Sequence, residues 1–161
     1  MPISVGDAIP NVDLYRIGES GGPEAFPARD FFAGKKVVLF AVPGAFTRTC
    51  SARHLPGFIH KADEMRAKGV DTIACVSVND AFVMDAWGRD QGAGDKVLML
   101  ADGNAEFSDA IGLSFDASGF GMGKRSQRYA MVVDDGEVKA LHVEQPGAFE
   151  VSSAEAVLNV L

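Results

Sequence analysis

Cysteine is scarce in this sequence, which contains only Cys50 and Cys75 among 161 residues. Two cysteines are too few for the disulfide framework that stabilises small secreted domains. The sequence also lacks a run of about 20 apolar residues, so it predicts no membrane span. Residues 1–7 have neither the basic start nor the apolar stretch of a secretion signal. These features predict a protein of the reducing cytoplasm.

Positive charge is also in short supply. The chain has 15 lysines and arginines against 22 aspartates and glutamates, which gives a formal charge of −7 and a pI near 4.9. Binding to nucleic acid or to an anionic membrane usually requires a basic surface, so neither partner is expected. The apolar fraction of 47% is ordinary for a globular protein. At this length we predict a single domain over residues 1–161.

Alternating strand and helix patterns predict an α/β fold. Strands are predicted at residues 12–16, 37–42, 70–78, 96–100, 126–134 and 137–143. Helices are predicted at residues 51–68, 81–91, 104–111 and 153–161, with one helical turn within residues 26–34. Asp135-Gly136 joins the last two strands and is a strong hairpin signal. Pro56 predicts a kink, because proline cannot donate to the helical hydrogen-bond ladder.

Residues 37–58 are the most informative part of the sequence. Their apolar start ends at Pro43-Gly44, a pair that interrupts regular structure, and a helix is predicted soon afterwards. Thr47 or Thr49 could cap that helix through its side-chain oxygen. Cys50 would then lie in the first turn, just beyond the carboxyl end of a buried strand.

This location favours the thiolate, which is the nucleophilic form of cysteine. The first turn of a helix has unpaired amide groups and the positive end of the macrodipole. Arg48 would add a nearby cation if its side chain turned inward. The alternative is that Cys50 is a small buried hydrophobic residue, but its polar neighbours favour a reactive thiol.

The string PGAFTRTC at residues 43–50, followed by HLPGF at residues 54–58, resembles the active-site loop of the peroxiredoxin family, type II or peroxiredoxin-5-like subgroup. The family pattern places a proline four residues before a threonine or serine, and the cysteine three residues after that. Pro43, Thr47 and Cys50 match this pattern. Arg48 departs from it, since the subgroup usually has proline there. CVSVND at residues 75–80 and SQRY at residues 126–129 extend the similarity over most of the chain.

The resemblance implies a thioredoxin-like fold, with a central mixed β-sheet flanked by helices, and a thiol peroxidase acting on hydrogen peroxide and organic hydroperoxides. Cys50 would become a sulfenic acid, and Arg128 would face its sulfur. The Thr47 hydroxyl and the backbone amides of the loop would be further hydrogen-bond donors to the departing oxygen. Pro43 would shape the pocket. No metal or other cofactor is implied.

The resemblance leaves the recycling of the oxidised thiol open. Cys75 matches a second cysteine of some type II relatives, so it is either the resolving cysteine or an unreactive residue of a buried strand. In the second case glutathione with glutaredoxin, or thioredoxin, would reduce Cys50. A homodimer is also implied, and Phe46, Phe82, Trp87 and Phe120 are expected near the dimer face.

The same residues are compatible with other functions. A peroxide sensor or redox-relay protein would use the same thiol but would recycle only with its partner. A cysteine hydrolase would pair Cys50 with His54 as general base, and His54 could instead pack locally. A zinc site needs more ligands than the histidines offer by spacing. GFGMGK at residues 119–124 lacks the first glycine and the final hydroxyl of a phosphate-binding loop.

Overall fold

The computed structural model describes residues 2–161. Its strands are β1 (Asp13–Ile17), β2 (Pro23–Pro27), β3 (Lys36–Ala41), β4 (Thr72–Ser77), β5 (Leu98–Ala101), β6 (Ser114–Asp116), β7 (Lys124–Ser126), β8 (Tyr129–Asp134) and β9 (Glu137–Val143). Its α-helices are α1 (Ala28–Phe32), α2 (Leu55–Ala67), α3 (Ala81–Gln91), α4 (Glu106–Ala110) and α5 (Ala154–Leu158). A π-helical turn at Cys50–His54 precedes α2, and a 3-10 turn at Ser118–Phe120 precedes β7.

Seven strands form one mixed sheet in the order β2-β1-β5-β4-β3-β8-β9. The central strands β5, β4 and β3 are parallel, whereas β8 runs antiparallel to β3. Strands β3 and β4 are buried along almost their whole length, which explains why their sequences are continuously apolar. The predicted α/β fold with a central mixed sheet flanked by helices is therefore confirmed.

Successive residues of β3 point to opposite faces of the sheet. Val38 and Phe40 pack on one face with residues of α2, α3 and α5, while Val37 and Leu39 pack on the other face with α1 and α4. The first face also contains both cysteines. No helix among residues 2–161 combines the length and the apolar character that crossing a membrane would require.

Local signals predicted several boundaries correctly. Helix α3 covers the predicted residues, with the Asp80 carboxylate accepting from the Val83 amide and Gly92 ending the helix in a left-handed conformation. Asp135 and Gly136 both have positive φ, as a two-residue hairpin turn requires.

Other boundaries were predicted wrongly. The edge strand β2 and the small β6–β7 hairpin were missed, and the strand predicted at residues 126–134 is two strands separated by Gln127 and Arg128. Gln127 still belongs to the small hairpin, since its amide donates to the Leu113 carbonyl at 2.7 Å, whereas Tyr129 pairs with Ala41 of β3, so the chain crosses from one sheet to the other at Arg128. The last helix ends at Leu158, three residues before its predicted end.

The irregularity predicted at Pro56 is a π-helical turn. The Leu55 amide donates to the carbonyl of Cys50, five residues earlier, and Pro56 then occupies the first turn of α2. A proline is tolerated in a first helical turn because amides there have no partner within the helix. The wider π turn thus ends at His54, and α2 continues from Leu55 with Pro56 in its first turn.

Candidate active site

Cys50 opens the π-helical turn, after a loop that begins at the carboxyl end of β3, and its side chain is fully buried. This agrees with the predicted placement of the thiol. The predicted threonine cap is wrong: Thr49 makes no capping hydrogen bond, and the Thr47 hydroxyl donates to the Gly44 carbonyl at 2.7 Å. That bond closes the loop on itself, so the Thr47 oxygen is left as an acceptor toward other groups.

The loop before Cys50 is held by a side chain from the end of β4. Asn79 Oδ1 accepts from the Ala45 amide at 2.9 Å and from the Ser77 hydroxyl at 2.6 Å. Asn79 was not among the site residues predicted from the sequence. Its position directly after the strand next to β3 was the available signal, because the carboxyl ends of parallel strands meet at one edge.

Arg128 is the cation at the sulfur. Its Nη2 lies 3.1 Å from Cys50 Sγ, although 78 positions separate the two residues in sequence. Tyr129 pairs with Ala41 across the β3–β8 ladder, so Arg128 lies next to the loop that follows β3. Arg48 is exposed instead, and the predicted contribution of its charge at the thiol is not observed.

His54 holds the other side of the same guanidinium. Arg128 Nη1 lies 2.8 Å from His54 Nδ1, and His54 Nε2 lies 2.9 Å from the Ser152 carbonyl. A carbonyl can only accept, so Nε2 carries the proton and Nδ1 accepts from Arg128. Burial, and then the charge of Arg128, lower the pKa of His54 to about 3. The imidazole is neutral and both nitrogens are engaged, so the Cys/His pair of a hydrolase is not formed.

Aromatic side chains enclose this group of polar residues. The Phe149 ring is centred 4.9 Å from that of His54, with the Arg53 guanidinium carbon 4.7 Å above its centroid. The indole nitrogen of the buried Trp87 donates to the Ser51 hydroxyl at 3.0 Å. Trp87 was expected near the dimer face, but its side chain is fully buried in the core, next to Ser51 of the π turn.

Cys75 lies in the middle of β4, between Phe40 of β3 and Met99 of β5. It is fully buried on the same face of the sheet as Cys50, and both thiols are free. Burial, and then the proximity of Cys50, raise the pKa of the Cys75 thiol. This thiol is therefore un-ionised at neutral pH in the folded protein.

Pro43 and Thr47 lie half-buried in the loop that leads to Cys50. Gly44 between them lies close to the side-chain ends of Met122, just before β7, and of Arg125 within β7. Within residues 2–161, histidine, cysteine and acidic side chains form no group of three or more that could hold a metal ion. The arrangement thus offers a buried sulfur, a guanidinium directed at it, and the half-buried Pro43 and Thr47 in the loop before it.

Comparisons with known proteins agree with this geometry. The family model described as Redoxin matches residues 4–158. Peroxiredoxin-2E, chloroplastic, of Arabidopsis thaliana is 52% identical over 162 residues, covering 99% of this chain and 69% of that protein. Peroxiredoxin-2B of the same plant is 46% identical, with 99% of each chain covered. The solved structure of reduced Prx3 from Vibrio vulnificus in complex with H2O2 is 57% identical, with a TM-score of 0.94 and 98% of each chain covered.

Proposed function

The chain belongs to the peroxiredoxins of the Redoxin family and is a thiol peroxidase, and from this premise we propose that Cys50 is the thiol that reduces the peroxide. The observation that carries the proposal is the 3.1 Å contact between Arg128 Nη2 and Cys50 Sγ. A guanidinium remains charged at any working pH and presents several donors in a fixed plane. It can therefore donate to the Cys50 sulfur and also to an oxygen that approaches that sulfur.

In the proposed reaction the Cys50 thiolate attacks the terminal oxygen of a hydroperoxide. The S–O bond forms as the O–O bond breaks, so sulfur is oxidised to sulfenic acid and the peroxide is reduced to water or an alcohol. Negative charge develops on the departing oxygen, and Arg128 donates to it. The departing oxygen takes a proton from the solvent or from the peroxide itself.

In this scheme Thr47 accepts a hydrogen bond, whereas the family resemblance implied that its hydroxyl would donate one to the departing oxygen. Its hydroxyl proton is directed at the Gly44 carbonyl, so its oxygen can accept a hydrogen bond from the peroxide O–H. The Ala45 amide is also occupied, by Asn79. We therefore assign orientation of the peroxide to Thr47, enclosure of the pocket to Pro43, and charge stabilisation to Arg128.

For the return step we propose an external thiol, from glutathione with glutaredoxin or from thioredoxin. Cys75 is fully buried within the central sheet and its thiol pKa is raised, which makes it a poor attacking group in the folded state. An external thiolate would attack the Cys50 sulfenic acid, releasing water, and a second thiol would then reduce the mixed disulfide. The scheme needs no metal or organic cofactor, because the thiols supply both electrons.

A cytoplasmic location and a homodimer complete the proposal. Two free buried thiols suit a reducing compartment. Phe46, Phe82 and Phe120 expose 53%, 58% and 83% of their surface respectively. Phe46 belongs to the active-site loop, and its ring centroid lies 6.5 Å from that of Trp87 in α3, the helix that carries Phe82. We propose that these three exposed phenylalanines, called here the phenylalanine patch, are covered by a second copy.

Intact-protein mass spectrometry after one equivalent of hydrogen peroxide tests the assignment. With a sulfenic-acid trap we expect one adduct, located on Cys50, within seconds. Cys75→Ser should form it at the wild-type rate, because Cys75 does not take part in the first oxidation. Cys50→Ser is the control, since the six methionines can also gain oxygen.

The same experiment without the trap tests the return step. A persisting sulfenic acid is expected if an external thiol is required. Loss of two hydrogens in the wild type, but not in Cys75→Ser, would instead make Cys75 the resolving cysteine. Absence of any fast adduct on Cys50 would contradict the assignment of the peroxide-reactive thiol.

A further inference from the structure

A buried carboxylate lies behind the active site. Glu144 follows β9 and is only 6% exposed. It accepts hydrogen bonds from the amides of Glu150, Val151 and Ser152 at 2.9, 2.9 and 2.8 Å, and from the Ser152 hydroxyl at 2.6 Å. Residues 144–152, which we call the Glu144 loop, are thereby folded around one side chain.

Hydrogen-bond donors, and no cation, stabilise this carboxylate. None of the ion pairs within residues 2–161 includes Glu144. Burial raises the pKa of Glu144, but the hydrogen bonds from Ser152, Glu150 and Val151 together lower it below its ordinary value. Glu144 is therefore ionised at neutral pH, and several amides converge on a full negative charge.

The Glu144 loop connects directly to the guanidinium at the sulfur. The Ser152 carbonyl accepts from His54 Nε2, His54 Nδ1 accepts from Arg128 Nη1, and Arg128 Nη2 reaches Cys50 Sγ. The Glu144 amide also donates to the Arg128 carbonyl at 3.0 Å. Contacts therefore join Glu144 to both the backbone and the side chain of Arg128. Phe149 covers them, with its ring centroid 5.8 Å from the guanidinium carbon of Arg128.

We propose that Glu144 is a positioning residue for the peroxidase reaction: its carboxylate folds the Glu144 loop so that the Ser152 carbonyl orients His54, and His54 directs Arg128 toward Cys50. The inference rests on the proposed role of Cys50 and extends the set of residues on which the reaction depends. Glu144 contacts neither the Cys50 sulfur nor the peroxide, so it acts only through Ser152, His54 and Arg128.

The negative charge of Glu144 has a defined task in this relay, by which we mean the chain of contacts from Glu144 through Ser152 and His54 to Arg128. One carboxylate oxygen accepts from the Val151 amide, the Ser152 amide and the Ser152 hydroxyl, while both oxygens lie within 3.0 Å of the Glu150 amide. In Glu144→Gln one of the two oxygens becomes an NH2 group, which faces an N–H donor and cannot accept from it. The remaining neutral oxygen also holds its donors less strongly than a carboxylate does. The Ser152 carbonyl would lose its fixed position, and His54 would lose its fixed orientation.

The test measures the rate of Cys50 oxidation by hydrogen peroxide in stopped flow, followed by the fluorescence of Trp87 and by quenched-flow mass spectrometry. Glu144→Gln is expected to slow oxidation by about tenfold or more. The matched control is Glu137→Gln, an exposed carboxylate at the other end of β9, which should react within about twofold of the wild type. A wild-type rate in folded Glu144→Gln would overturn the proposal.

A double-mutant cycle tests whether Glu144 acts through His54. His54→Leu removes the ring that joins Ser152 to Arg128. If the relay operates, Glu144→Gln combined with His54→Leu should be no more than about twofold slower than His54→Leu alone. A double variant slowed by the product of the two single losses would show independent action and overturn the proposal.

Nuclear magnetic resonance provides a readout that does not depend on activity. The Nε2 proton of His54 is buried and bonded to Ser152, so it should give a slowly exchanging signal in the wild type and in Glu137→Gln. In Glu144→Gln we expect exchange about tenfold faster or more. An unchanged signal would overturn the relay, whereas a wild type that reacts slowly with peroxide would overturn only the role proposed for Cys50.

A milder variant covers the case in which Glu144→Gln does not fold. Ser152→Ala deletes only the hydroxyl that donates to Glu144 at 2.6 Å and leaves the carbonyl that His54 uses. It should slow oxidation by about threefold and hasten exchange of the His54 proton. Wild-type values for both in Ser152→Ala would count against the relay.

Discussion

His54 shows how burial can determine the role of a single residue. A histidine ordinarily titrates near pH 6.5, but this one is enclosed by Phe40, Phe58 and Phe149 and faces the charge of Arg128. Its pKa of about 3 keeps it neutral throughout the physiological range. It can therefore accept from Arg128 at any pH at which the enzyme works, which a protonated ring could not do.

The lowered pKa of His54 makes stability depend on pH. Between a folded pKa of about 3 and the ordinary value of about 6.5, the unfolded chain binds a proton that the folded protein does not. The contribution of His54 to stability is therefore complete above about pH 6.5 and is lost as the pH falls toward 3, by up to about 1.4 kcal/mol per pH unit. His54→Gln removes the titration but keeps a donor for Ser152 and an acceptor for Arg128.

We expect the wild type to lose about 2 kcal/mol more unfolding free energy than His54→Gln between about pH 6 and about pH 4.5. Urea denaturation of both proteins at each pH measures the difference. The carboxyl groups with shifted pKa values, Asp102 and Glu144 among them, are present in both proteins, so their contributions cancel. Parallel stability curves would show that His54 is not held neutral in the folded state.

The sequence revealed the reactive residues better than the residues that support them. One short motif contains Pro43, Thr47 and Cys50, so the continuity of the chain keeps these residues close together. The relation of His54 to Arg128 and Ser152 depends on which strand lies beside β3 and how the chain returns after β9. Glu144 looked like any surface glutamate, because only its burial and the loop around it give it a task.

Among the elements, the β8–β9 hairpin is set by its two turn residues. Asp135 has φ 49° and Gly136 has φ 79°, which are left-handed values that a side chain disfavours. We expect Gly136→Ala to lower the unfolding free energy by about 1 to 2 kcal/mol, because alanine pays the steric cost that glycine avoids. Chemical denaturation is the measurement.

The control is Gly22→Ala, in the loop between β1 and β2. A methyl group there would meet nothing within 4 Å, and the residue does not have positive φ. It should change stability by less than about 0.5 kcal/mol in either direction. Equal losses in the two variants would show that the hairpin conformation is not what Gly136 supplies.

The π turn at Cys50–His54 could be foreseen only in part. Pro56 indicated that the regular ladder must be interrupted, but a kink and a widened turn both satisfy that requirement. The choice is made by packing, since Cys50, His54 and Leu55 are all fully buried in this geometry. Long-range packing of this kind leaves no periodic signal in the sequence.

For the whole molecule, the succession of the longer strands and helices along the chain followed from the alternation of apolar runs and helical patterns, whereas the short edge elements left no such signal. Strand β2 is mostly exposed and carries two prolines, so neither its hydrophobicity nor its composition indicated a strand. The β6–β7 hairpin consists of two three-residue strands, too short for a period to be recognised. Central, doubly buried strands are the elements that a sequence shows most clearly.

Association through the phenylalanine patch makes a prediction at this scale. Sedimentation equilibrium at high concentration should give twice the chain mass of 17.0 kDa. Phe120→Glu, at the most exposed of these side chains, should weaken association by about tenfold or more, because a carboxylate would be buried without a partner. Val160→Glu, at an exposed apolar residue near the chain end, is the matched control and should leave the mass unchanged. A monomer at all concentrations would contradict the proposed dimer.

Both outer strands of the seven-stranded sheet are protected against addition of a further strand. Strand β2 begins and ends with proline, so two of its five residues have no amide hydrogen to offer. The start of β9 is covered by residues 6–8, which exchange hydrogen bonds with Val138 and bridge to Glu137. Addition of a further strand is therefore opposed along β2 and at the start of β9, which limits aggregation by strand pairing when the enzyme is abundant.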